Sequence, residues 1–97
     1  MSYNEFITFL GVLVEYNGDS ENIVIPNGVK VIGNHAFSGR KNIETITIPD
    51  VVSAIDNEAF RCCYYLKEVK IPDAFVGDAQ RIFGASLVKD GDKYHLE

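Results

Sequence analysis

Apolar residues return along this chain at a fixed interval. Ile25-Pro26, Ile48-Pro49 and Ile71-Pro72 stand 23 residues apart. The same shift carries Val29 onto Val52, Ile32 onto Ile55, Asn34 onto Asn57, Ala36-Phe37 onto Ala59-Phe60, Ile43 onto Leu66 and Ile46 onto Val69. Nearly every apolar position of one unit meets an apolar position in the next, the mark of a repeat architecture. Within a unit, Ile43-x-x-Ile46-x-Ile48 ends in the alternation of a strand with one face buried. Pro49 stops that ladder because it has no N–H to donate. Val52-x-x-Ile55 predicts a second short extended piece. Asp56-Asn57-Glu58-Ala59-Phe60 predicts a single helical turn with a polar start and an aromatic anchor.

A unit of this size cannot bury its own apolar face, whereas stacked units bury a continuous one. The expected result is a solenoid whose strands form narrow parallel sheets, with Phe37 and Phe60 stacked inside. From Ile23 to Pro72 the chain repeats Ile-Pro-x-x-Val-x-x-Ile-(Gly/Asp)-Asn-x-Ala-Phe, then (Ile/Leu)-x-x-(Ile/Val)-x-Ile-Pro. This pattern resembles the BspA-type leucine-rich repeat of bacteria and some protists. The resemblance implies a leucine-rich-repeat solenoid, mostly β with short 3₁₀ or α turns. In that family a cysteine commonly sits three residues before the leucine. Cys63 matches that position and so looks like a core thiol. Arg40 departs from it in the first unit, which is expected to loosen that coil locally.

The ends need caps to cover the last apolar layers. Phe6 to Tyr16 reads as two extended pieces turning near Gly11, and Asn17-Gly18-Asp19-Ser20 as a turn into the strand Ile23–Ile25. Similar hairpin lead-ins precede the first repeat in the family. After Pro72 the period decays: Ile82-Phe83 still falls 23 residues beyond Ala59-Phe60, but Asp78 replaces the expected Ile. Ala74, Phe75, Ala79, Ile82 and Phe83 are spaced as in a short helix ending at Gly84. Ser86–Lys89, a turn at Asp90-Gly91-Asp92 and Lys93–Leu96 predict a closing hairpin. The chain is thus expected to be one domain, 1–97. Its parts are an N-terminal hairpin cap (1–22), two full repeats (23–72), and a degenerate repeat with a C-terminal helix and hairpin cap (73–97).

Composition narrows the function classes. At 97 residues, 46% hydrophobic and 24% charged, the chain has the profile of a soluble globular domain. No apolar run approaches the roughly 20 residues that span a bilayer, so no membrane is expected as partner. Met1-Ser2-Tyr3-Asn4-Glu5 lacks the basic start of a secretory signal, which points to the cytoplasm, or to an extracellular place if the chain is a fragment of a longer surface protein. The net charge is −5, with four acids and no base in 1–22 and three bases against one acid in 23–48. Such a surface repels a phosphate backbone, so direct nucleic-acid binding is not expected.

Candidate chemistry is sparse. The adjacent Cys62 and Cys63 are read as free thiols of a reducing compartment, since two neighbouring thiols supply too few ligands for a zinc site. His35 takes the position of Glu58 in the next unit and is expected to face solvent; His95 is the only other histidine. Asp90-Gly91-Asp92 lacks the rest of a calcium loop and reads as a hairpin turn. No glycine loop for phosphate, nucleophile elbow or zinc helix occurs. The chain is therefore expected to be non-enzymatic and to need no cofactor.

Surface is what remains. Alternation on the strands sets Asn22 and Val24, Thr45 and Thr47, and Glu68 and Lys70 in outward rows, as solenoids do where they bind extended partners. A second candidate precedes each strand: Arg40-Lys41-Asn42 in one unit, Arg61 and Tyr64-Tyr65 in the next. Aromatics and Arg are enriched at binding hot spots, and Tyr64-Tyr65 stand where the family has small polar residues. The candidate partner-binding residues are Thr45, Thr47, Glu68, Lys70, Arg61, Tyr64, Tyr65 and Arg40. Plain solvated sheet, and packing of the tyrosines on a neighbouring coil or cap, are the competing explanations. The expected function is a protein-interaction module, its partner a protein of unspecified identity, its own state a monomer or weak homodimer. Two other readings stay open: a small acidic inhibitor from a phage or mobile element that occupies a host nucleic-acid enzyme, and a fragment of a bacterial surface adhesin.

Overall fold

The structure, a computed structural model, describes residues 5–97. Met1-Ser2-Tyr3-Asn4, on which the absence of a basic leader was read, lies outside them. Two sheets share one core. The first contains β1 (Phe6–Phe9), β2 (Val12–Tyr16), β4 (Val31–Ile32) and β6 (Ala54–Ile55), in that order. The second runs β3 (Asn22–Val24), β5 (Thr45–Thr47), β7 (Glu68–Lys70), β9 (Lys93–Leu96), β8 (Leu87–Asp90). Among the described residues the protein is mostly β, with one short α-helix, α1 (Ala79–Phe83), and no closed barrel.

The 23-residue spacing becomes strand register. Ile23, Ile46 and Val69 pair in parallel across β3, β5 and β7, and Ile32 pairs with Ile55 across β4 and β6. All five are buried. Isoleucine and valine suit these positions because a branched side chain packs well on a pleated surface. Between the sheets runs an aromatic column. Phe6, Tyr16, Phe37, Phe60 and Phe83 follow one another with ring centroids 5.0, 5.3, 5.2 and 5.2 Å apart. Phe37 and Phe60 are stacked at 3°. Each such contact contributes about 0.5–1.5 kcal/mol beyond burial. The Tyr16 hydroxyl, carried inside by its ring, accepts a hydrogen bond from the Ser20 N–H at 3.2 Å.

Three expectations are refined. Asp56–Phe60 forms consecutive turns instead of a helical turn: Ala59 N–H donates to Asp56 O and Arg61 N–H to Glu58 O, both at 3.2 Å. The stretch gains its order from its neighbours, since Phe37 N–H donates to Ala59 O and Gly39 N–H to Arg61 O across the repeats. The helix expected over Ala74–Phe83 is two pieces, a 3₁₀ segment Asp73–Asp78 and then α1. Asp78, at φ −102° and ψ 15°, separates them, and Gly84 ends α1 in the left-handed conformation at φ 67°. The closing hairpin does more than cover an end: β9 pairs antiparallel with β7 and becomes a strand of the second sheet.

Candidate interaction surfaces

The outer face of the second sheet carries the rows that alternation demands. Asn22, Thr45 and Glu68 align in one row, and Val24, Thr47 and Lys70 in the next. Thr45 Oγ1 donates to Asn22 Oδ1 at 2.8 Å. The closing hairpin extends both rows and engages their last members. Lys93 Nζ lies 3.2 Å from Glu68 Oε2, and Lys70 Nζ 3.1 Å from Asp92 Oδ2. His95, opposite Glu68 in the ladder, sets Nε2 2.7 Å from Asp90 Oδ2. Lys70 holds the Asp92 carboxyl below its ordinary range by hydrogen bond and charge. Glu68 and Lys70 therefore serve the cap as well as the surface. Thr47, half-buried, stands between them and an exposed Val24.

The turns before the strands form a separate strip. Arg40 reaches back to the preceding turn, its Nη2 3.4 Å from Asn17 Oδ1, beside a cleft of about 260 Å³ shared with Asp19, Ser20 and Lys41. Arg61 pairs with Glu58, whose carboxylate also lies 3.5 Å from the exposed His35. Tyr64 and Tyr65 are 72% and 66% exposed, so neither ring packs away against a coil or cap. The Tyr64 hydroxyl donates to Cys62 Sγ at 3.3 Å, a bond that raises the phenol pKa. Tyr64 borders a cleft of about 430 Å³ that Cys62, Cys63, Leu66, Phe83, Leu96 and Glu97 also line.

Cys63 is held differently from its neighbour. Its thiol donates to the Phe37 carbonyl at 3.0 Å and packs against the core, and burial pushes its pKa up to about 11. Cys62 adopts φ 64°. Among the described residues no group of three or more His, Cys, Asp and Glu side chains is placed to hold a metal ion, and no helix is long and apolar enough to cross a membrane.

A 23-residue parallel register, an apolar column and turns that stack by backbone bonds are what a leucine-rich-repeat chain must show. The family model described as BspA type leucine rich repeat region (6 copies) matches residues 15–89. The chain belongs to this family. No curated protein and no solved structure matches it.

Within a BspA-type leucine-rich repeat the departures stand out. Cys63 sits at the family's cysteine position and bonds the preceding coil. Arg40, in the same position one unit earlier, sends its side chain to Asn17 instead. Leucine-rich repeats of this kind generally mediate protein interactions and are typically non-enzymatic. One apolar surface escaped the sequence reading. Phe9, Val12, Val31 and Ala54 fall in one row across the outer face of the first sheet. Phe9 is 68% exposed, and Ile7, Leu10 and Val14 nearby are exposed too. The signal was present in the uncharged run Phe6–Leu10, but assigning that run to a cap concealed that most of its side chains would be exposed.

Proposed function

We propose that this chain is a non-enzymatic module of solenoid form that binds a partner protein on the turn strip around Tyr64 and Tyr65. The observation that carries the reading is the exposure of two adjacent tyrosines, the first of which borders a cleft lined by both polar and apolar groups. Exposed aromatics with a polar tip give large contact area at little loss of side-chain freedom, which is why they recur at binding hot spots. Arg61 stands on the preceding turn, and Thr45 and Thr47 on the adjoining sheet face offer polar contacts at the rim. Glu68 and Lys70, already paired with the closing hairpin, contribute less.

The division expected from the sequence, an N-terminal cap at 1–22, repeats at 23–72 and a degenerate repeat with a C-terminal cap at 73–97, is part of this proposal. The acidic-inhibitor reading has weaker support. Five of the 14 acids, Glu44, Glu58, Glu68, Asp78 and Asp92, lie in internal ion pairs with lysine or arginine, which reduces the acidic field open to a basic groove. The test is affinity capture from the native host with wild type, Tyr65→Ala and Thr47→Arg. Loss of the captured protein with Tyr65→Ala supports the reading, and capture indifferent to Tyr65→Ala contradicts it.

A further inference from the structure

Among the described residues, five of the nine lysines and arginines lie in ion pairs with Asp or Glu: Arg61, Lys67, Lys70, Arg81 and Lys93. Lys30, Arg40, Lys41 and Lys89 have no carboxylate partner there. Lys89 sets its ammonium 5.2 Å from the centre of the Tyr94 ring, and Lys30 has no basic neighbour in the sequence. Only Arg40 and Lys41 are adjacent. Arg40 meets the neutral Asn17 at 3.4 Å, and Lys41 is exposed. Asp19 lines the same cleft of about 260 Å³, but among the described residues it forms no ion pair with either. Two adjacent uncompensated cations run against a net charge of −5, and they gain most from an anion brought from outside.

The repeat builds this basic pair into the Tyr64-Tyr65 strip, because the two turns share one hydrogen-bond pattern. Arg40 N–H donates to Phe37 O at 3.1 Å and Ile43 N–H to Arg40 O at 3.4 Å. One unit later Cys63 N–H donates to Phe60 O and Leu66 N–H to Cys63 O, both at 3.2 Å. Gly39 N–H donates to Arg61 O at 2.8 Å and Cys63 Sγ to Phe37 O at 3.0 Å, which ties one turn onto the other. Lys41 therefore holds the position of Tyr64 one layer away, and Asn42 that of Tyr65. Neighbouring layers of a sheet stand about 4.8 Å apart, little more than the rise of about 3.3 Å for one extended residue. A single extended segment thus reaches from the basic pair to the tyrosines.

Given the strip as the binding surface, on which this step rests, we infer that its partner presents an acidic segment, with carboxylates on Arg40 and Lys41 and neighbouring side chains on Tyr64 and Tyr65. The arginine fork matches the two oxygens of a carboxylate, and the lysine adds a mobile point charge. Complementary charge of this kind decides which partner is chosen, while the tyrosines supply contact area. A short acidic segment fits better than a polyanion, since a phosphate backbone extending beyond two cations meets the net negative charge of the chain.

The test is selection of random peptides of about twelve residues, long enough to cross several layers, on the full chain. The peptides retained are then measured against wild type, Arg40→Gln/Lys41→Gln and Tyr64→Ala/Tyr65→Ala, in about 0.1 M and about 1 M salt. The expected result is enrichment of Asp and Glu over the input library. Binding should weaken at least about threefold with Arg40→Gln/Lys41→Gln, the loss of two exposed charge pairs, and again in 1 M salt, where the screening length falls to about 3 Å. A cooperative melt shows that the double variant folds, and Lys41→Gln alone, at an exposed side chain, gives the same direction of change if it does not. Weakening by the basic variant without weakening by the tyrosine variant would uphold the acidic segment against the tyrosines. Weakening by the tyrosine variant alone would keep the strip and overturn the acidic segment. Peptides without acidic enrichment, or no retained peptide, overturn it too. So does a random single-stranded oligonucleotide that binds more tightly than the acidic peptides and is released by Arg40→Gln/Lys41→Gln.

Discussion

Arg81 Nη1 lies 2.8 Å from the carbonyl oxygen of Ile55, where one more repeat would have placed a backbone N–H. In the two preceding layers that donor is main chain: Gly33 N–H to Leu13 O at 2.9 Å, and Asp56 N–H to Ile32 O at 3.0 Å. The period fails after Pro72, and a side chain takes over, also bonding Asn57 Oδ1 at 2.7 Å. Arg81→Met should therefore lower stability by about 1–2 kcal/mol, the cost of leaving a partly buried carbonyl unpaired. Arg81→Lys should recover part of the loss, because an ammonium donates but lacks the fork. Urea unfolding checks both; a wild-type midpoint for Arg81→Met would remove this cap from the account.

The aromatic column predicts an order of severity. Phe37, fully buried and flanked by rings on both sides, should cost about 3–5 kcal/mol when truncated to Ala. Phe83, half-buried at the end of the column, should cost less. Against a total stability of about 5–15 kcal/mol, Phe37→Ala should leave much of the chain unfolded at moderate urea. Equal midpoints for the two variants would contradict a continuous column.

Cys62 stands 23 residues after Gly39, and the two share a left-handed backbone, φ 64° and φ 75°. The strain on a residue with a Cβ there is about 1–2 kcal/mol, and glycine forfeits roughly 0.5–1 kcal/mol in unfolded-chain entropy. Cys62→Gly should therefore stabilise the fold by about 0.5–1 kcal/mol, while Cys62→Val, β-branched at positive φ, should destabilise it. Leu10→Asn should stabilise the fold for the same reason, since Leu10 also has positive φ, 51°. Thermal melts of the three variants decide the matter.

Burial raises the Cys63 thiol from 9.0 to about 11, which has a signed consequence. The folded state favours the neutral thiol, so its contribution to stability is complete below pH 9 and is lost as pH rises toward 11. Wild type should lose more stability than Cys63→Ala across that window, a comparison that subtracts the other groups titrating there. A parallel decline in the two proteins would show that the thiol is not held neutral by the fold.

Much of this was written in the sequence. The interval between Ile25, Ile48 and Ile71 became the register of two sheets, and Phe37 over Phe60 became the column's centre, because a repeat fixes each layer against an identical neighbour. The ends were less legible, since no neighbour repeats them. Glycine marked the turns near Gly11 and at Asp90-Gly91-Asp92, yet nothing local said that β9 would join β7. Nor did local pattern reveal that Arg81 would replace a backbone donor, or that the chain would change helix type at Asp78. Of the candidate residues, alternation put Thr45, Thr47, Glu68 and Lys70 on one face correctly. It could not show that Asp92 and Lys93, far along the chain, would engage the last two.

The central claim, that a partner protein is held by the turn strip, is tested most directly by quantifying what wild type and Tyr64→Ala/Tyr65→Ala each retain from a native-host extract. Both rings are exposed, so the double variant should melt as wild type does. A specific protein captured by wild type should fall at least about tenfold with the variant, the loss expected when a hot spot is truncated. Equal recovery by a folded double variant would contradict it and move the binding surface elsewhere on the molecule.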